Sequence, residues 1–220
     1  MSDRLTREEI KRDEVMEGIS RVALFVQNHG RTVLYGVATV LVVIAAWAVW
    51  DAVATGREHK ANEALALAVA QGEEDPGAAT EALTAVLDEF GSTMAGSVAH
   101  AYLGTAAAEA EDLAAARSHW QDFLTIHRDH ALAAGVERNL ISLDRAEGQS
   151  EALAERLETA LTTGESALSE DSVLYELGRT LEDLGRTEGA LEIYARLVEE
   201  HPGSLYAGQA RERTSALEAS

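Results

Sequence analysis

The chain has 220 residues, 38 acidic against 18 basic side chains, a formal net charge of -20 and no cysteine. Disulfides, thiolate metal sites and thiol nucleophiles are therefore excluded. So negative a surface repels a nucleic-acid backbone, which sets DNA and RNA aside as partners. The acidity itself reads as a solubility device, and only two prolines with few aromatics point to helices throughout.

The first 32 positions form a charged tail with six basic residues, Arg4, Arg7, Lys11, Arg12, Arg21 and Arg31. Within it Ile10, Met16, Ile19, Val22, Ala23 and Val26 fall mostly at helical spacing. They predict a short amphipathic helix, lying on a membrane surface, against a partner, or in solvent. Asn28-His29-Gly30 reads as its stop, because glycine readily takes the left-handed conformation that ends helices.

From Val33 to Trp50 run 18 residues with no charged side chain, bounded by Arg31 and Asp51. As a helix this spans roughly 27 Å, about the hydrocarbon thickness of a bilayer. Tyr35 near one end and Trp47 and Trp50 near the other stand where amphipathic rings favour the headgroup region. Ala52-Val53-Ala54 resembles a signal-peptide cleavage site. Against cleavage, the preceding tail is too long for an n-region and the apolar stretch exceeds the usual h-region of about 7–15 residues. The expectation is a retained anchor over residues 33–54. Local basic residues tie, with Arg21 and Arg31 on one side and Arg57 and Lys60 on the other. The segment Ala61–Ala116 holds no Lys or Arg, which favours a cytoplasmic tail and an exported large domain.

Beyond Gly56, expected to break the chain before a helix near Glu58, a repeat begins. Ala79, Ala116, Leu153 and Ala190 stand 37 residues apart. Four positions on come Leu83, Trp120, Leu157 and Tyr194; seven on, Val86, Phe123, Ala160 and Leu197; eight on, Leu87, Leu124, Leu161 and Val198. That spacing describes the buried stripe of one helix. Leu67, Gly104, Ile141 and Gly178, twelve positions earlier, belong to a helix packed against it. Such a period marks stacked helix pairs. The predicted pairs are 58–71 with 77–90, 97–110 with 113–127, 132–147 with 150–163, and 171–184 with 187–201. A last helix at 205–217 caps the stack. Turns fall at Glu73-Glu74-Asp75-Pro76-Gly77, Glu147-Gly148-Gln149-Ser150, Leu184-Gly185-Arg186 and Pro202-Gly203. The fold class is all-α, organised as a tail (1–32), a transmembrane anchor (33–54) and a repeat domain (58–220).

The repeat domain resembles the tetratricopeptide repeat family. The fourth unit carries the motif as Leu177-Gly178, Leu181, Gly185, Ala190, Tyr194, Leu197 and Pro202. The second keeps Leu103-Gly104, Ala107, Ala116, Trp120 and Phe123, with Arg128 where the motif has proline. The third departs, with Ile141 and Leu153 at the small-residue positions and Asp144 at an apolar one; the first has Leu67 for glycine. The resemblance implies a right-handed helix-pair solenoid whose first helices line a binding groove. Carried over, the groove positions are Ala101, Thr105, Ala108 and Glu109; Arg138, Ser142 and Arg145; and Ser172, Tyr175, Arg179, Glu182 and Asp183. The arginines are expected to pair with the acidic surface; the alternative is that they receive an extended peptide with an acidic or carboxylate end.

Tail, single span and small acidic repeat domain together resemble the family of YfgM-type ancillary subunits of the SecYEG translocon. Phe90-Gly91-Ser92 through Leu103 and Glu111-Asp112-Leu113-Ala114-Ala115-Ala116 resemble that family's central region. The resemblance implies a single-pass protein of the bacterial inner membrane with periplasmic repeats. Its partners would be the membrane, translocon subunits, periplasmic chaperones and secreted clients. The alternative is a tethered adaptor or scaffold for cell-wall or outer-membrane assembly. Oligomeric state stays open, since Gly36 and Val40 offer only a thin small-residue face.

No phosphate loop, G-x-S-x-G or EF-hand spacing occurs, so neither enzyme nor cofactor is expected. His127 and His130 could share a helix face, but two ligands do not make a zinc site, and a solvated helix end is the reading. His100 is placed in an alanine-rich helix interface.

Overall fold

A computed structural model describes residues 30–72 and 74–219, and every regular element among them is an α-helix. The amphipathic helix expected before Asn28 lies outside the described residues. Helix α1 (Gly30–Gln71) contains the whole predicted span. It also runs on through Gly56, where a break was expected. One interior glycine costs a helix only about 1 kcal/mol relative to alanine, and the surrounding sequence is rich in good helix formers. By its internal contacts the chain divides between Gly56 and Arg57 into two units.

In the first unit, the apolar part of α1 is long and apolar enough to cross a membrane: a window of 18 residues within Ala38–Gln71 has a mean hydropathy of 1.9, none of it buried. Tyr35, Trp47 and Trp50 are 70%, 62% and 68% exposed. A helix satisfies its own backbone, so such a segment needs only lipid to cover its side chains.

The second unit stacks helix pairs. The end of α1 precedes α2 (Pro76–Phe90), and α3 (Met94–Glu109) pairs with α4 (Leu113–Ile126). Next come α5 (Ala133–Ala146) with α6 (Ser150–Thr163), α7 (Glu170–Asp183) with α8 (Thr187–Glu200), and α9 (Leu205–Glu218). The turns work as their residues suggest. Asp75 caps α2, its carboxylate accepting from Gly77 N at 3.0 Å and Ala78 N at 3.1 Å, with Pro76 in the first turn. Thr93 caps α3 through Gly96 N. Gly148, Gly164 and Gly185 take positive φ, which side chains with a Cβ resist.

The 37-residue stripe is buried: Ala79, Leu83 and Val86 on α2, Ala116, Trp120 and Phe123 on α4, Leu153 and Leu157 on α6, Ala190, Tyr194 and Leu197 on α8. Two close approaches explain the glycines. A Cβ on Gly104 would stand 2.4 Å from Trp120 Cδ1, and one on Gly178 would stand 2.5 Å from Tyr194 Cε1. Leu67, expected at the matching place of the first unit, is 62% exposed and turned out of the stack. Ala68 takes that role, buried in one cluster with Leu83 and Phe90.

The third pair differs. Ile141 is buried where its neighbours have glycine, and α5 and α6 pack less closely than α3 with α4 or α7 with α8. A cleft of about 720 Å³ opens there, with Leu124, Arg128, Leu140, Arg156 and Ala160 among its walls. Asp144, 3% exposed, is answered by Arg117 of α4 at 2.5 Å and Arg156 of α6 at 2.7 Å. Its carboxylate ties three helices together where the sequence pattern called for an apolar residue.

Candidate interaction face

Along the first helices, polar side chains of α5, α7 and α9 link one unit to the next. Arg145 of α5 reaches Glu176 of α7 at 3.0 Å and Asp183 at 2.7 Å. One unit further, Glu182 of α7 accepts from Arg213 Nε of α9 at 3.0 Å. Both links join residues 31 apart, one position in each of two successive first helices. Their polarity is reversed, with arginine first in one and glutamate first in the other.

Glu182 is also the acceptor of the Tyr194 hydroxyl, at 2.5 Å. Burial pushes its carboxyl up, but the hydrogen bonds from Arg213 and Tyr194 outweigh that and hold it below the usual carboxylate range. The Tyr194 hydroxyl is pushed well above the ordinary phenol value by burial and by its bond to Glu182. Such a network is fully satisfied and fixes its members' rotamers.

Beside it, Tyr175 stacks on Tyr206 with centroids 5.1 Å apart, and Arg138 Nη1 donates to the Tyr206 hydroxyl at 3.4 Å. The structure thus gathers Arg138, Tyr175 and Tyr206 from α5, α7 and α9. Arg179, half-buried on α7, adds its charge near Glu182. On α3 and α5, Thr105 and Ser142 are exposed and Ala108 half-buried. Ala101 is only 5% exposed and belongs to the core cluster with Trp120 and Val136, so it lies beneath this face. Sequence reasoning missed Glu176, Tyr206 and Arg213. The recurrence of opposite charges 31 residues apart was the available signal.

The possible metal ligands resolve differently. His127 ends α4 and its ring lies 6.5 Å from that of His130, whose Nδ1 accepts from Leu132 N. Among the described residues, Glu170, Glu200 and His201 bring ligand atoms within 4.8 Å of one another. Arg196 already answers both carboxylates, Glu170 at 3.1 Å and Glu200 at 2.9 Å, and supplies the cation the cluster needs.

A family model described as a Tetratricopeptide repeat-like domain matches residues 24–172, more than half of the chain. The chain belongs to the tetratricopeptide repeat-like domain family. A second model, described as a Tetratricopeptide repeat, matches residues 172–204. No curated protein matches the chain. The two tetratricopeptide matches meet at Ser172 on α7, so the regular fourth unit stands apart from the more divergent units before it. As a tetratricopeptide repeat protein it is a protein-interaction module, joined here to one helix able to cross a membrane.

Proposed function

We propose that the protein is an accessory subunit of a bacterial protein-export channel, held in the inner membrane by α1. Its repeats stand in the periplasm and engage extended segments of client or chaperone proteins across the face of α3, α5, α7 and α9. The observation that carries this reading is one chain holding both an uncovered apolar helix and a tetratricopeptide interaction domain. The fully unburied window within Ala38–Gln71 calls for a lipid environment. The gathered Arg138, Tyr175 and Tyr206 offer aromatic faces and donors of the kind that hold an extended peptide.

The test is affinity purification of the full chain from gently solubilised native membranes, beside a version whose residues 33–54 are replaced by an unrelated span. Recovery of channel subunits with the native span only is the expected result. Equal recovery of soluble envelope proteins by both versions, without channel subunits, would establish instead a tethered adaptor for envelope assembly.

A further inference from the structure

The link between first helices 31 residues apart is present from α5 to α7 and from α7 to α9. From α3 to α5 the same positions are Ala108 and Asn139, neither of them charged. The position matching Tyr194, two repeats earlier, is Trp120. So Tyr194, Glu182 and Arg213 in the fourth unit correspond to Trp120, Ala108 and Asn139 in the second.

Two observations show that this place is incomplete. A cavity of about 250 Å³ opens there, lined by Ala108, Leu113, Trp120, Asn139, Ser142 and Leu143. The Trp120 indole N–H is buried and has no hydrogen-bond partner among the described residues, on a side chain 4% exposed. In the fourth unit the aromatic donor has its acceptor, the Glu182 carboxylate. In the second unit the acceptor is missing and space stands in its place.

We infer that this cavity is the subsite for an acceptor supplied by the bound partner: a neutral side-chain carbonyl, glutamine or asparagine, on an extended protein segment. Its neutrality follows from the lining. Glu182 is tolerated because Arg213 and Arg179 offset its charge, whereas the walls of the cavity hold no cation. A carboxylate there would be desolvated without compensation, in a chain of net charge -20. The Asn139 amide and Ser142 hydroxyl, which also line the opening, supply the remaining polar contacts. This assignment rests on the interaction face proposed above and names the chemistry that one part of it selects.

The test uses the full chain in lipid nanodiscs, with ¹⁵N-labelled indoles. Its three tryptophans are separable, Trp120 being assigned from the resonance lost in Trp120→Phe. The probes are end-blocked pentapeptides Ala-Ser-Gln-Ser-Ala and their counterparts with methionine or glutamate at the centre. The glutamine peptide is expected to move the Trp120 resonance saturably, with the methionine and glutamate peptides at least tenfold weaker. Ala108→Glu combined with Asn139→Arg rebuilds the fourth unit's set inside the chain. It is expected to raise the melting temperature and abolish the response. A resonance unmoved by any probe, equal response to methionine, or an undiminished response in the double variant would overturn the assignment. In that case partners recovered from native membranes, and lost on Arg138→Ala with Tyr175→Ala, would leave the wider interaction reading standing.

Discussion

Gly178 lies directly beneath the ring of Tyr194, so close that a Cβ would stand 2.5 Å from Cε1 and 2.8 Å from Cζ. Gly104 and Trp120 repeat the arrangement two units earlier. A methyl group at either place forces the aromatic ring off its rotamer or the helices apart. Gly178→Ala and Gly104→Ala should therefore each destabilise by about 1–3 kcal/mol, although alanine is the better helix former by about 1 kcal/mol. Gly135→Ala is the control, because nothing lies within 4 Å of its Cβ position. It should stabilise by about 0.5–1 kcal/mol. Urea unfolding compares all three; equal stabilisation by Gly178→Ala would show the close approach to be unimportant.

Tyr194→Phe removes the donor to a charged acceptor while leaving the ring in place. The expected loss is about 1.5–3 kcal/mol, the range for hydrogen bonds to ionised groups. The Glu182 carboxyl sits below its ordinary value of 4.5, so its contribution is present above that pH and fades as pH falls through the folded value. The variant should show a shallower acid limb in a pH series of thermal melts. An unchanged limb would assign the effect to other carboxylates.

Asp144→Asn leaves Arg117 and Arg156 facing a neutral amide in a buried place. Breaking a buried pair costs about 3–5 kcal/mol. Here both arginines keep some solvent, so about 2–3 kcal/mol is the expectation, read by chemical unfolding. Asp144→Leu, which copies the fourth unit's Leu181, should not rescue it. A leucine variant as stable as the parent would mean that the ion pairs are dispensable.

His100 and His119 bring their Nδ1 atoms to 2.9 Å between α3 and α4, with Asp122 at 4.0 Å from His100. One ring must accept, so protonation of both ends the bond. Burial first, and then the neighbouring His119, hold His100 below its ordinary 6.5, with Asp122 opposing. The unfolded chain takes up the proton at higher pH than the folded one. Stability is therefore full above 6.5 and declines as pH falls from there towards the folded value. Melting temperature should drop as pH falls below 6.5, and His100→Gln should flatten that slope. Parallel slopes in the two proteins would remove this pair as the cause.

Helix positions were legible because burial imposes a period: α6 and α8 fall where the stripe of apolar residues put them. Gly104 and Gly178 were legible as positions on the helix packed against that stripe. What escaped was set by neighbours distant in sequence. Nothing near Gly56 shows that its breaking tendency is overridden, since that is decided by the helix formers on both sides. Leu67 misled because a one-residue change in turn length rotates a helix face by about 100°. Asp144 looked like a defect until Arg117 and Arg156 converged on it. On the interaction face, Arg145 and Glu182 were placed by motif, but their partners Glu176 and Arg213 sit in the next unit.

Stacks of near-identical units can assemble in the wrong order, by skipping a member or by docking on another chain. The reversed polarity of the two links between first helices makes such errors electrostatically distinct. If α5 met α9 directly, Arg145 would face Arg213. If α7 of one molecule met α7 of another in the same sense, Glu182 would face Glu176. Only the sequence α5, α7, α9 brings opposite charges together at both joints. The charges thus act as keyed ends at the last two joints, letting α7 and α9 each recognise the single neighbour that belongs beside it.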